Sequence, residues 1–337
     1  MSYKFRKILL RLLYALAYYT GAIALFYRIN RNRQRILVFH HIVPDCYLND
    51  SFEQKIVCTA QSKFDRLLSI VGKRLKNSTT IGEPGTAVIT FDDGYRAALT
   101  AREALEKHAC KAYFFVPLSV IGGGPLWVDR IMGWFAYVPA GTYRIGDRSY
   151  TLTDQPGRQA SFSKLMDSLY DSASGSYEPH GVIAQLESIL PFDELPIPEA
   201  YRELRFKGLT NSELQFLKTT GGGHLIGGHS VRHDILSQLD REQLDEDFNA
   251  CSAQTGTLFN CRVYAYPFGH KRDVSPTVIE ACRNSAFEYA VLNEYSPAAD
   301  AFALSRLNIS QYATRFEVEA ALSGFTQWLK NLIKWIR

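Results

Sequence analysis

The stretch Phe91-Asp92-Asp93-Gly94-Tyr95 follows the apolar run Ala87-Val88-Ile89-Thr90. Two adjacent carboxylates at a strand end point to different sides unless the chain turns, and Gly94 supplies a turn. The pair can then divide two tasks, one acid holding a cation and the other taking a proton. The same five residues also read as a plain turn that ends a strand and caps the next helix, since Asp and Gly are common in such places. A second constellation, Gly227-Gly228-His229-Ser230-Val231-Arg232-His233-Asp234, follows another apolar segment. Two histidines four apart, after a glycine pair that lets the backbone turn, can present both imidazoles to one ion if the segment coils. With one acid of the pair they make a two-His, one-carboxylate set. That set suits one divalent metal ion, zinc first, with cobalt or ferrous iron as alternatives, and it leaves positions open for water and substrate. A neighbouring acid beside the ion completes what a hydrolase needs, because a cation acidifies water and a base removes its proton.

Such a site needs strands whose ends converge. Ile36-Leu37-Val38-Phe39 predicts a buried strand ending in His40-His41, Ala87 to Phe91 a second, and Cys110 to Val116 a third, with a helix over Tyr95 to Lys107 between the last two. After Pro117 the pattern loosens into Gly122-Gly123-Gly124-Pro125, a helix over Asp129 to Tyr137, a hairpin near Gly141 to Leu152 and a polar stretch to about Leu204. This reads as an insertion with its own helices. The alternation resumes with strands at His224 to Gly228, Arg262 to Tyr266, Phe287 to Leu292 and Leu304 to Ile309, and with helices over Asp240 to Gly256 and Pro276 to Asn284. Six or seven parallel strands with helices between them predict an α/β barrel, whose chemistry sits on loops at the strand C-terminal ends.

Composition sets the outer limits. Of 337 residues 46% are hydrophobic and 21% charged, which supports a large core. The net charge is +4 with no basic run interleaved with aromatics in mid-chain, so no nucleic-acid partner is expected. The six cysteines show no Cys-x-x-Cys spacing, which argues against a zinc ribbon and for reduced thiols in a cytoplasmic setting. The cations gather at the ends instead. Leu12 to Tyr27 is apolar and tyrosine-rich between Lys4, Arg6, Lys7, Arg11 and Arg28, Arg31, Arg33, Arg35. It falls short of the ~20 apolar residues of a spanning helix, so the order of expectation is an interfacial helix, then a signal anchor, then a cleaved signal. In Phe325 to Arg337, apolar residues recur at helical spacing among Lys330, Lys334 and Arg337, as in a helix that packs on the domain, touches a membrane, or both. The expected organisation is a membrane-proximal helix over residues 1–30, a barrel over 31–315 with an insertion at about 120–205, and a basic amphipathic helix over 316–337. The expected location is peripheral, on the cytoplasmic membrane with its cytoplasmic face favoured.

Thr90-Phe91-Asp92-Asp93-Gly94, His229-Ser-x-x-His233 and Tyr264-Ala-Tyr-Pro-Phe-Gly269, in this order and at strand ends, resemble the polysaccharide deacetylases of carbohydrate esterase family four, the NodB-homology group. Val38-Phe-His-His-Ile-Val43 and Pro125-Leu-Trp-Val-Asp-Arg130 resemble bacterial members with an insertion in the barrel. The likeness runs from about Ile36 to Ile309 and implies a distorted (β/α) barrel of about seven parallel strands with an inserted helical segment. It implies Asp92 as catalytic base, with Asp93, His229 and His233 as metal ligands. It also implies that the loop Pro267-Phe268-Gly269 walls the substrate groove, with the Phe268 amide on the oxyanion. The implied reaction is hydrolysis of the N-acetyl group of an amino sugar in a bacterial surface or lipid-linked glycan.

Two positions depart from that pattern. Where many members carry an Arg that orients the base this chain has Ala265, and where many carry a late general-acid His it has Leu304-Ser305-Arg306. His40 is the first candidate for the missing acid or supporting role, with a strand-end structural histidine as the alternative; His270 and Arg306 come after it. Trp127 reads either as a platform for a sugar ring or as an anchor for the insertion, and Asp129 as a partner for a hydroxyl. His41, His108, His180 and His224 read as ordinary residues. Two other functions remain in view: a deformylase or other non-peptide amidase on the same site, and an inactive carbohydrate-binding relative.

Overall fold

The structure, a computed structural model, describes residues 3–49, 51–170, 178–296 and 300–336. Seven apolar segments form the strands β1 Arg35–Phe39, β2 Thr86–Phe91, β3 Ala112–Val116, β4 Leu225–Gly228, β5 Val263–Ala265, β6 Tyr289–Val291 and β7 Arg306–Asn308. They pair in parallel in sequence order from β1 to β6, and β7 returns to pair with β1 on its other side. The run into β7 also borders β6, because Val291 bridges to Leu304 and Leu292 donates to the Leu304 carbonyl at 2.8 Å. The result is a nearly closed, distorted (β/α) barrel.

Strand alternation explains both sides of this wall. Ile36, Val88, Tyr113, Phe115, Val263, Ala265 and Val291 form one buried cluster that fills the barrel axis. Their neighbours Leu37, Phe39, Ile89, Phe91, Phe114 and Val116 join the larger core under the helices. Continuing the inward parity of Val88 through Thr90 brings Asp92 to the barrel mouth. The covering helices are amphipathic: Gln61–Gly72 buries Phe64, Leu67, Leu68 and Val71, one face at helical spacing. Asn211–Thr219, Arg241–Ser252 and Arg315–Ser323 begin with reciprocal capping boxes at Thr210, Asp240 and Thr314.

Between β3 and β4 lie the helix Trp127–Tyr137, the hairpin Gly141–Ile145 with Arg148–Leu152, and the helices Gln155–Leu169, Pro179–Ile189 and Glu199–Arg205. A buried ionic cluster ties this insertion to the barrel: Arg205 donates to Glu53 and to Asp129, both at 2.6 Å. Near the N-terminus the single helix expected over Leu12 to Tyr27 is two, Tyr3–Tyr19 and Ala22–Ile29, bent by 74°. The break falls at Gly21, whose φ of 82° is left-handed. Ala17 and Ile23 pack there on Ala320 and Phe325, which draws both helices onto Arg315–Ser323 and Phe325–Ile336. Among the described residues no single helix is long and apolar enough to cross a membrane, though the bent pair passes by length and composition.

Candidate active site

Asp92 leaves β2 with its amide donating to the Phe39 carbonyl at 3.0 Å, which keeps the strand pairing one residue past the strand end. Asp93 then takes a φ of 74° and swings its carboxylate off the inward line that carries Asp92. On the other side of the mouth, Ser230 and His233 also have positive φ, 69° and 59°, as does Phe268 at 58°. Four of the five described non-glycine residues with left-handed backbone thus meet at one place, where packing holds a strained conformation.

The His229–His233 loop is pinned from beneath. Asp247, on Arg241–Ser252, accepts from the Ser230 hydroxyl at 2.9 Å and the Val231 amide at 2.8 Å, and the His233 amide donates to Ser230 Oγ at 3.1 Å. Gly227 and Gly228 have a different use from the turn read in the sequence. Both are strand residues without left-handed φ, and a Cβ there would lie 2.5 Å from the Val263 carbonyl oxygen or 2.8 Å from the Phe287 ring. They are small so that β4 can approach its neighbours.

These loops bring Asp93 Oδ1 to 3.5 Å from His229 Nε2 and 3.5 Å from His233 Nε2. Bonds of ~2.1 Å at tetrahedral angles place ligand atoms ~3.4 Å apart, so the spacing fits a zinc-sized ion. His229 Nδ1 lies 2.7 Å from the Ala265 carbonyl, which can only accept, so Nδ1 carries the proton and Nε2 offers its lone pair inward. All three residues are buried. Burial alone would raise the Asp93 carboxyl, but His229, His233 and His41 against it hold it well below the usual carboxylate range.

Asp92 faces this trio and is gripped from behind. Arg306 donates Nη1 to Asp92 Oδ1 at 2.7 Å and Nη2 to Oδ2 at 2.6 Å, a bidentate pair with side-chain exposures of 0% and 3%. Its Nε donates to the Leu292 carbonyl at 2.9 Å and its Nη1 also to Thr90 Oγ1 at 3.1 Å. Burial works to raise the Asp92 carboxyl, yet the Arg306 charge, with His229 and His40, keeps it below the ordinary value. The sequence offered Arg306 as a substrate or oxyanion residue and, after His40, as a candidate for the missing acid or supporting role; it lies in the barrel interior against Asp92, off the cavity wall.

A cavity of about 330 Å³ opens on these groups, lined by His40, Asp92, Asp93, Asp129, His229, His233, Phe268, His270, Asn293 and Asn308 on its polar side. Val128, Met132, Phe162 and Met166 line its apolar side. Phe268 stacks edge-on against His233, ring centroids 4.8 Å apart. Pro267 and Trp127 are not on the wall. Trp127 is buried and its indole N–H donates to the His233 carbonyl at 2.9 Å, so the geometry suits the anchoring reading and leaves no face for a sugar. Asp129 accepts from Tyr95 Oη at 2.6 Å as well as from Arg205, which commits both its oxygens to structure.

His41, read as ordinary, is fully buried with Nε2 3.4 Å from Asp93 Oδ2. Burial, with Arg205 adding to it, pushes its pKa down to about 4, so it backs the carboxylate as a neutral ring. The signal was its place next to His40 at a strand end, where one of two consecutive side chains must turn inward.

No protein-family model matches the chain, and no curated protein matches it in sequence. Solved structures do match in three dimensions. A polysaccharide deacetylase of Bacillus cereus, BC0361, superposes with a TM-score of 0.52 at 11% identity, over 86% of this chain and 68% of that one. The Streptococcus pyogenes deacetylase PplD, solved in complex with acetate, gives 0.50 at 14% identity over 84% and 95%. IcaB of Ammonifex degensii gives 0.50 at 14% identity over 87% and 97%. At these identities the likeness is one of fold: the chain has the barrel architecture of the polysaccharide deacetylases.

Proposed function

We propose that the chain is a metal-dependent hydrolase that removes the N-acetyl group from an amino sugar of a bacterial glycan. The carrying observation is the triangle of Asp93, His229 and His233 with 3.5 Å edges from Asp93 to each imidazole, beside a second, separately held carboxylate. A divalent cation in that triangle, zinc being the first expectation, would polarise the amide carbonyl and acidify the attacking water. Asp92 takes the proton of that water, its oxygens aimed and kept ionised by Arg306. The Phe268 amide is the donor for the developing oxyanion, on a loop bent to left-handed φ. His40, on the cavity wall and close enough to act on both aspartates, returns the proton to the leaving amine. A cavity of about 330 Å³ suits one sugar residue with its acyl group against the apolar side formed by the insertion. Fold likeness to deacetylases supports the acetyl group as the one removed.

The test is metal content and acetate release from N-acetylglucosamine oligomers, measured on the purified chain, on Asp92→Asn and on His229→Ala. About one metal per chain with turnover is expected for the wild type. Asp92→Asn should retain metal and lose at least ~100-fold in kcat, and His229→Ala should lose both. A chain that binds no divalent metal, or binds it and turns over no N-acylated sugar, refutes the reading.

A further inference from the structure

The outer side of the N-terminal helices is unlike the rest of the surface. Ten of the fourteen exposed large hydrophobic residues among those described lie on Tyr3–Tyr19, Ala22–Ile29 and Phe325–Ile336. On the first helix Phe5, Ile8, Leu9, Leu12, Leu13 and Leu16 are exposed. At ~100° per residue these six fall within an arc of about 140°, a single stripe. The opposite side of the same helix does the packing, through Tyr14 and Ala17 onto Ala320 and Phe325. A stripe this long is no scatter of single surface residues; it is the apolar half of an interface.

Charge says what lies across it. Between this helix and the barrel rim runs a groove of about 980 Å³ whose walls carry Lys7, Arg11, Lys63, Arg66 and Arg315 against Asp45 as the one acid. Asp45 is satisfied by Ser62, whose amide donates at 3.0 Å. Arg11 is paired with Glu317 at 3.3 Å, whereas Arg315 donates to the neutral Tyr18 Oη at 2.7 Å, so the groove's net positive charge rests on Lys7, Lys63, Arg66 and Arg315. We propose that this face docks on an anionic lipid bilayer. The stripe enters the acyl boundary while Lys7, Lys63, Arg66 and Arg315 meet lipid phosphates, and exposed Tyr19 and Trp328 have the amphipathic rings that settle at headgroup level. The 74° bend and the packed inner side hold the helices flat on the domain. The groove and the catalytic cavity draw on the same two chain segments: Asn49 and Gln311 line the groove, and His40, Ile56 and Asn308 line the cavity. On the deacetylase reading, a docked chain therefore receives a sugar presented at the membrane surface.

Sedimentation of the full chain with phosphatidylcholine vesicles, with and without phosphatidylglycerol, tests this. Binding is expected on the anionic vesicles, weaker by at least ~10-fold on neutral ones and reduced by salt. Lys63→Glu with Arg66→Glu should lose at least ~10-fold, and Leu12→Glu with Leu16→Glu should lose binding outright. Both pairs should retain the wild-type melting temperature and the wild-type metal content, so that failure of docking is read apart from failure of the catalytic site. Equal affinity for neutral and anionic vesicles, or none for either, overturns the proposal. So does resistance to carbonate extraction from membranes, which would make the bent pair a span. A dimer that the leucine variants dissolve, without vesicle binding, assigns the stripe to a second copy and overturns it too.

Discussion

Arg306 is the side chain whose loss should separate turnover from binding. It spans from β7 to the end of β2 inside the barrel, with its fork on both Asp92 oxygens at 2.7 and 2.6 Å. Arg306→Met keeps much of the stem and removes the charge. Charge centres ~4 Å apart attract by ~4 kcal/mol at an effective dielectric of ~20, and stripping one partner from a buried pair costs ~3–5 kcal/mol. The sign follows from the lowered Asp92 carboxyl. In the wild type the stabilisation is present above the unfolded carboxylate pKa and is lost as pH falls through the lower folded one. In the variant, burial opposes ionisation with no guanidinium against it, so Asp92 is protonated or misaimed at neutral pH. General-base catalysis is worth ~10²–10⁴-fold, so kcat should fall by at least ~100-fold. Because Arg306 is not on the cavity wall, KM and metal content should change little. Arg306→Lys restores charge without the fork and should recover only part of kcat, and added guanidinium should rescue the Met variant further. The assay is amine release from N-acetylglucosamine oligomers beside urea unfolding and metal analysis. A folded, metal-loaded Arg306→Met with kcat within about threefold of wild type would refute a base held by Arg306.

Two stability predictions concern the attachment of the insertion. Glu53→Gln leaves the fully buried Arg205 with Asp129 as its remaining ionic partner and should lower the unfolding free energy by about 3 kcal/mol, read as a drop in urea midpoint at unchanged slope. Gly208→Ala would put a Cβ 1.7 Å from the Val120 carbonyl oxygen and should lower the melting temperature by several degrees, while Gly72→Ala, with nothing within 4 Å, should be neutral or slightly stabilising. Equal melting temperatures for the two alanine variants would show that the Val120–Gly208 contact is not rigid.

The barrel was legible because its strands are short apolar runs separated by helix-length segments, and each of the seven lies within two residues of where the pattern placed it. The helix Gln61–Gly72 carried an equally clear signal in Phe64, Leu67, Leu68 and Val71, four positions on one face, but the strand that leads into it, Cys58–Ala60, is three residues long and gives no apolar run to mark it. The break at Gly21 was less visible, because an apolar run continues through it and tertiary packing, not composition, sets the bend. At the mouth, types and spacing pointed to His229, His233 and one acid of the adjacent pair, the resemblance implied Asp93 as that acid, and the fold brings these three together. The Arg306–Asp92 pair was out of reach: the two are 214 positions apart, and nothing local to Leu304-Ser305-Arg306 says that the guanidinium points inward. Burial of His41 and the close-approach use of Gly227-Gly228 likewise depend on which strands become neighbours.

That out-of-reach pair accounts for the departure at position 265. An arginine there would start from the axis of the barrel, since Ala265 belongs to the interior cluster with Phe115, and the Arg306 guanidinium lies 6.0 Å from the centre of that same Phe115 ring. With Arg306 entering from β7, position 265 is left small and contributes its carbonyl, which fixes the His229 tautomer at 2.7 Å. One backbone atom thus sets the His229 imidazole while a distant strand sets Asp92. The two settings meet at Asp92 and Asp93 because consecutive residues at the end of β2 face different ways. Exchanging the solutions, Ala265→Arg together with Arg306→Ala, should therefore restore more activity than either change alone retains, whereas Ala265→Arg with Arg306 in place should crowd the axis and destabilise the barrel.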